Sequence, residues 1–297
     1  MNLYSISELE QFSGIKSHTI RIWEKRYKAL KPRRSKGNTR YYDNSQLRRL
    51  LNIVSLSENG FKVSRVGRMK DKQIFELLDR AIKDATAVKP YEYFIAQMIL
   101  ASVHYDETSF DRHFAACCRR FGFEQTYTMV VYPLLLRVGL MWQSDDMCVA
   151  QEHFLSNIIR KKLFAAIELV PAYHLEADPW LLFLPENEYH DIGLLFASYL
   201  IRLAGRKVYF LGSSVPLNSL KNGVSETRPT NLLLFLVHNN STSETQKYID
   251  TLRKSFGNCT IYLAGNHKLI STLKLKKQMY WLQSADQLKA SLLDDNN

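Results

Sequence analysis

Two carboxylate–imidazole pairs are the residues of this 297-residue sequence best suited to chemistry. Glu188 and His190 stand two apart in the segment 184–193, LPENEYHDIG, so in an extended loop both side chains leave on the same side. A neutral imidazole there can give an electron pair to a metal while the carboxylate holds its other ring nitrogen. Taken alone, a loop histidine is more often a surface residue than a ligand. The second pair is Glu152 and His153, separated by nine residues from Trp142. Such spacing brings an indole, a carboxylate and an imidazole to one end of a helical bundle, with Val149 on their helix face at i+3 and i+4. A third set is cationic and hydroxylic: His18, Thr19, Arg21 and Lys25, then Arg33, Arg34, Arg40 and Tyr41. Groups of these kinds suit phosphates and base edges.

The charge distribution supports the third set. Residues 1–72 hold 17 lysines and arginines against 6 acids, which accounts for the whole net charge of +11, and the remainder is balanced at 23 against 23. A neutral body with one basic module is what a polyanion-binding head on a separate sensor looks like. There is no run of apolar residues long enough to cross a membrane and no secretory leader pattern, so a cytoplasmic protein is expected. Cys117, Cys118, Cys148 and Cys259 follow no disulfide or zinc spacing and are read as buried or inert thiols.

The elements that must position the head are short. Ser5 and Glu8 have capping-box spacing, Gly14 can end the first helix, and Ser17 is placed to cap a second helix to about Tyr27, with Ile20 and Trp23 inward. Two helices around a tight turn make a helix-turn-helix, with His18, Thr19, Arg21 and Lys25 outward on the second. Residues 32–42 read as two short strands around a Gly-Asn turn. The run 13–27, SGIKSHTIRIWEKRY, then Arg40, Tyr41 and Tyr42, then the helix 47–60, closely resembles the MerR DNA-binding domain. That resemblance implies a winged helix-turn-helix over 1–72. His18, Thr19 and Arg21 would then face the major groove of double-stranded DNA, Arg40 and Tyr41 would lie in the wing against the backbone, and a homo-oligomer, dimer or tetramer, would bind an inverted repeat. A linker is expected over 73–89, and its residues 73–87 are too short for a complete coiled-coil partner, so association is expected to depend on the later domains.

Helices at about 90–103, 107–121, 123–141 and 147–171 predict a four-helix bundle over 90–174. Strand-like runs at 180–184, 207–211, 232–237, 260–263 and 279–282 alternate with helical ones. They predict a parallel, Rossmann-like (flavodoxin-like) α/β domain over 179–297, whose ligands lie beyond the strands' carboxyl ends.

Trp142-x9-Glu152-His153 together with Glu188-x-His190-x-x-Gly193 resembles the cobalamin-binding, light-responsive MerR regulators of the CarH/LitR type. The resemblance implies that the bundle caps the upper face of adenosylcobalamin, with Trp142, Val149, Glu152 and His153 at the adenosyl group. It implies His190 as the lower cobalt ligand, in place of the cofactor's own base, with Glu188, Gly193, Ser241 and Gly265 around the cofactor. The segment 211–216 looks like the family's second strand–helix loop. The chain departs from the pattern where Glu186-Asn187 replaces a glycine and where Ala264-Gly265 replaces a Gly-Gly pair; such glycines let the backbone approach the displaced nucleotide tail. The implied function is a regulator, a repressor by expectation and no enzyme, whose oligomerisation and DNA binding follow the cofactor. Two alternatives stay open: a degenerate domain that holds no corrinoid and answers a protein partner, and a corrinoid-carrying enzyme subunit.

Overall fold

In the computed structural model, residues 3–35, 38–83, 90–143, 148–171, 178–237 and 241–294 are described; for 79, 81–83, 90, 140–143 and 294 this covers the backbone alone. In the head, β1 (Leu3–Tyr4) leads into α1 (Ile6–Ser13), and the capping box forms as expected. The Glu8 amide donates to Ser5 Oγ at 3.2 Å and the Ser5 amide to Glu8 Oε2 at 2.5 Å, while Gly14 at φ 71° ends the helix. α2 (Ser17–Tyr27) follows, but Ser17 does not cap it. Both the amide and the hydroxyl of Ser17 donate to Glu10 Oε2, at 2.8 and 2.5 Å, so a carboxylate from α1 satisfies the start of α2.

The wing is β2 (Arg33–Arg34) against β3 (Arg40–Asp43), and the expected two strands become a three-stranded sheet because β1 pairs with the other edge of β3. Gly37 of the expected turn lies outside the described residues. α3 (Asn44–Glu58), capped by Asp43, supplies Leu47, Leu50, Leu51 and Ile53 to a core shared with Leu9, Phe12 and Ile20. α4 (Val63–Val66) and α5 (Asp71–Lys83) complete the head. α5 occupies the first part of the span expected as a linker and buries Ile74 and Leu78.

The bundle comprises α6 (Pro90–Val103), α7 (Glu107–Phe121), α8 (Phe123–Thr126), α9 (Tyr132–Gln143) and α10 (Val149–Glu168). The third expected helix is interrupted by a π-helical turn, Tyr127–Val131, between α8 and α9. Phe94, Met98, Phe110, Val130, Leu134 and Leu155 are fully buried in it. Arg137 grips Glu92 through two nitrogens, at 2.6 and 2.8 Å. α1 packs on α9 and α3 on α6, with Gln97 donating to Asn52 at 3.1 Å, so head and bundle share one compact unit, residues 1–157.

The second unit, 158–297, is the expected doubly wound α/β fold. Its elements are β4 (Trp180–Pro185), α11 (Ile192–Leu203), β5 (Val208–Val215), α12 (Leu217–Thr227), β6 (Asn231–Leu236), α13 (Thr242–Ser255), β7 (Thr260–Gly265), α14 (His267–Ile270), β8 (Met279–Trp281) and α15 (Ala285–Asp294). The strands run parallel in the order β5-β4-β6-β7-β8. Chain direction reverses across the sheet between β4 and β6, which makes that crevice the switch point where such folds hold ligands. Alternation sends Leu181, Phe183, Leu232, Leu234, Ile261 and Leu263 into one core and leaves Leu182, Leu184, Leu233 and Phe235 for the opposite face. The segment 211–216, expected as a loop, continues β5 to Val215; the positive φ of Gly212 (79°) and Ser214 (53°) and the register shifts against β4 give it a loop-like sequence.

Candidate functional site

At the carboxyl end of β4, Glu188 is 3% exposed and its carboxylate is fully used. Oε1 accepts the amides of Tyr189 (2.9 Å) and His190 (3.1 Å), and Oε2 accepts the Val237 amide (3.1 Å) from the end of β6. The anion therefore stitches the two strands of the switch point together. His190 Nδ1 meets Oε1 at 2.5 Å, while the ring remains 59% exposed. With Nδ1–H donated to a carboxylate, Nε2 carries the ring's electron pair, the tautomer a metal requires. The loop is pinned further: Ser214 donates its amide to the Glu188 carbonyl (3.0 Å) and accepts the Asn187 amide on Oγ (3.1 Å), and Arg160 of α10 pairs with Asp191 at 2.6 Å. Ser214, Val237 and Arg160 were not singled out from sequence, because their partners lie 26 to 49 residues away.

Gly193 and Gly265 sit where expected, but both answer to the protein itself. A Cβ on Gly193 would stand 2.6 Å from Phe235 Cε1, and one on Gly265 (φ 118°) 2.4 Å from the Leu236 carbonyl oxygen. Ser241 is the N-cap of α13, accepting the Glu244 amide and donating to its carboxylate at 2.7 Å. The Glu188–His190 pair thus suits a metal ion, while the crevice beside Gly193 holds an aromatic ring.

In the first unit, Val149, Glu152 and His153 share the first turns of α10, and His153 Nδ1 lies 2.6 Å from Glu152 Oε2. Both residues are much more open than Glu188, at 67% and 32% side-chain exposure. The Trp142 backbone belongs to the last turn of α9; its side chain lies outside the described residues. Cys148, just before α10, is exposed rather than one of the buried thiols, and the Tyr105 hydroxyl at 3.5 Å, aided by amides of the helix start, pulls its thiol pKa down. Cys117 and Cys259 are buried, and burial raises both.

On the head, His18, Arg21 and Lys25 are exposed on α2, with Thr19 half-buried. Arg21, Lys25, Lys28, Arg34 and Arg40 line a concavity of about 550 Å³ between α2 and the wing, together with Glu24. Glu24 accepts Arg40 Nε and the Tyr42 hydroxyl, each at 3.1 Å, so Arg40 holds the wing to α2 as well as facing outward. Burial and then Glu24 push the Tyr42 phenol up. Arg33 lies 3.6 Å from Asp43, Arg34 donates to Asn38, and Tyr41 is half-buried.

Residues 4–73 match the MerR HTH family regulatory protein model, and residues 94–166 match the B12 binding domain. The two matches give the chain a MerR-type DNA-binding head and a B12-binding region, the make-up of a DNA-binding regulator with cobalamin binding. The chain is 29% identical over 260 residues to the HTH-type transcriptional repressor CarH of Myxococcus xanthus, covering 85% of each chain. It is 26% identical over 244 residues to the repressor CarA of the same organism, covering 78% of this chain and 76% of that one. Among solved structures, the monomethylamine corrinoid protein of Methanosarcina barkeri superposes with a TM-score of 0.55 at 14% identity, over 68% of this chain and 98% of that one, a likeness of fold. No helix among the described residues is long and apolar enough to cross a membrane.

Proposed function

We propose that this regulator is a cytoplasmic repressor whose oligomerisation and operator binding follow a bound corrinoid, with adenosylcobalamin as a light sensor. The observation that carries the reading is the Glu188–His190 pair: an exposed imidazole, held in the metal-binding tautomer by a buried carboxylate at the sheet's switch point. His190 would hold cobalt from below. Trp142, Val149, Glu152 and His153 would meet the upper adenosyl group, Glu152 as its hydrogen-bond partner. Bound adenosylcobalamin supplies a cobalt–carbon bond that visible light breaks. Losing the adenosyl group would remove the partner of Glu152 and shift the oligomer, and with it the avidity of the head for paired sites.

In the head, His18, Thr19 and Arg21 would meet base edges, and Lys25, Arg33, Arg34, Arg40 and Tyr41 the backbone of an inverted repeat. The test is the absorbance of protein incubated with adenosylcobalamin, dark and illuminated, for wild type and His190→Ala, with oligomer mass and operator affinity measured on the same samples. A base-off, histidine-ligated spectrum lost in His190→Ala, with mass and affinity changing on illumination, is expected. Unchanged mass and affinity after light would reject the light switch. One observation, the Phe235 ring at Gly193, favours a second reading, a domain that holds no corrinoid and answers a protein partner; no corrinoid absorbance in either sample would select it.

A further inference from the structure

When a histidine ligates cobalt from below, the base it displaces hangs from the same face of the corrin on its nucleotide chain. With His190 as ligand, that tail would need room close to the histidine, and the crevice at the carboxyl ends of β4 and β6 is where such a fold would offer it. Here the crevice is lined on the helix side by Gly193, in the first turn of α11, and on the sheet side by Phe235 of β6. A glycine in that turn would leave a slot for a flat group, but Phe235 already occupies it: its ring is 2.6 Å from where a Gly193 Cβ would be, closer than real side chains approach. Small neighbours accommodate the ring. Ala264 of β7 stands opposite Phe235 in register, so its methyl group is on the same face. The glycine at 193 is thus required by the protein's own aromatic side chain.

We propose that Phe235 is a specificity-determining plug: it fills the tail slot with the chain's own ring, so that the site takes corrinoids by the ring and the His190 bond and gains nothing from the nucleotide tail. The inference rests on the corrinoid-binding reading and deepens it by naming the ligand class, corrinoids irrespective of a lower base.

The test is titration of the full-length protein with hydroxocobalamin and with aquocobinamide, which lacks the nucleotide tail, followed by absorbance. Wild type, Phe235→Ala and Phe235→Leu are compared, with circular dichroism to check that each is folded. Wild type should bind the two corrinoids within about threefold of each other. Phe235→Ala should favour hydroxocobalamin by about tenfold or more, the scale on which an apolar pocket registers an added group, with Phe235→Leu between. Wild type binding hydroxocobalamin tenfold more tightly than aquocobinamide, with no gain in either variant, overturns the plug and leaves the corrinoid reading standing. If wild type binds neither but Phe235→Ala takes up hydroxocobalamin, the plug is supported and the corrinoid reading of the natural chain fails. Absence of binding in all three proteins overturns both.

Discussion

The two carboxylate–imidazole pairs look alike in sequence and differ in how they are held. Glu188 is 3% exposed, accepts three backbone amides, joins two strands and holds His190 Nδ1 at 2.5 Å. Glu152 stands in the first turns of a helix, one residue from His153, with a single short contact to it and the imidazole 67% exposed. A group that must meet a metal benefits from being fixed beforehand, since any loosening of the ligand costs affinity directly. A group that must recognise an organic substituent, and release it, benefits from being free to change partner. On the proposed reading, the difference in burial suits the rigid role to the sheet and the adaptable role to the bundle.

Glu188→Gln should break this comparison most visibly. The amide keeps the size of the side chain but offers one acceptor where the carboxylate offers two, so either the Val237 amide or the His190 contacts lose their partner. Burying one unsatisfied donor costs about 1–3 kcal/mol, to be read as a lower midpoint in urea unfolding of the second unit. Corrinoid affinity, measured by absorbance titration, should fall by about 10–100-fold, as when the carboxylate behind a metal-ligating histidine is removed. If both quantities stay at the wild-type value, the buried carboxylate does not orient the imidazole.

Glu152→Gln is the matched change on the other side and should act more weakly. At so open a position stability should move by no more than about 0.5 kcal/mol. Adenosylcobalamin binding should weaken by about fivefold, the value of one net hydrogen bond, while hydroxocobalamin binding is unchanged because it offers no adenosyl group. Equal losses for the two ligands would sever Glu152 from the upper substituent.

What could be read from the sequence follows the range of the interactions involved. The capping box of Ser5 and Glu8, the glycine stop at Gly14 and the pairing of Glu188 with His190 are contacts within a few residues, and all three are present. The doubly wound sheet was legible because each strand is a short apolar run between amphipathic helices. The π-helical turn at Tyr127–Val131 was hidden because one extra residue per turn barely disturbs an apolar period. The extension of β5 was hidden because Gly212 and Ser214, at positive φ, have the composition of a turn. The amide of Val237 and the ring of Phe235 reach their partners across the β4/β6 crevice, 49 and 42 residues along the chain, where local pattern carries no information. Alternation in β6 did place Phe235 on the face opposite Leu234 and Leu236, a signal that could have exposed the crowding at Gly193.

The head offers the smallest effect and the sharpest check on whether a carboxylate that accepts backbone amides behaves alike wherever it occurs. Glu10 is a partly open counterpart of Glu188: it takes both the hydroxyl and the amide of Ser17, with Lys16 alongside at 3.1 Å. Those hydrogen bonds, the hydroxyl's foremost, lower its pKa from 4.5 to about 2. Because the folded-state value is depressed, the stabilisation is complete above about pH 4.5 and is lost as pH falls through about 2. Partial exposure keeps the effect small through solvent screening. Hydrogen exchange of the Ser17 amide should therefore be slower in wild type than in Glu10→Gln by a constant factor above pH 4.5, and that factor should shrink towards one as the pH approaches 2. A ratio that stays flat down to pH 2 would mean that the charge on Glu10 contributes nothing to the start of α2, and that the buried setting of Glu188, rather than its amide partners, is what distinguishes it from Glu152.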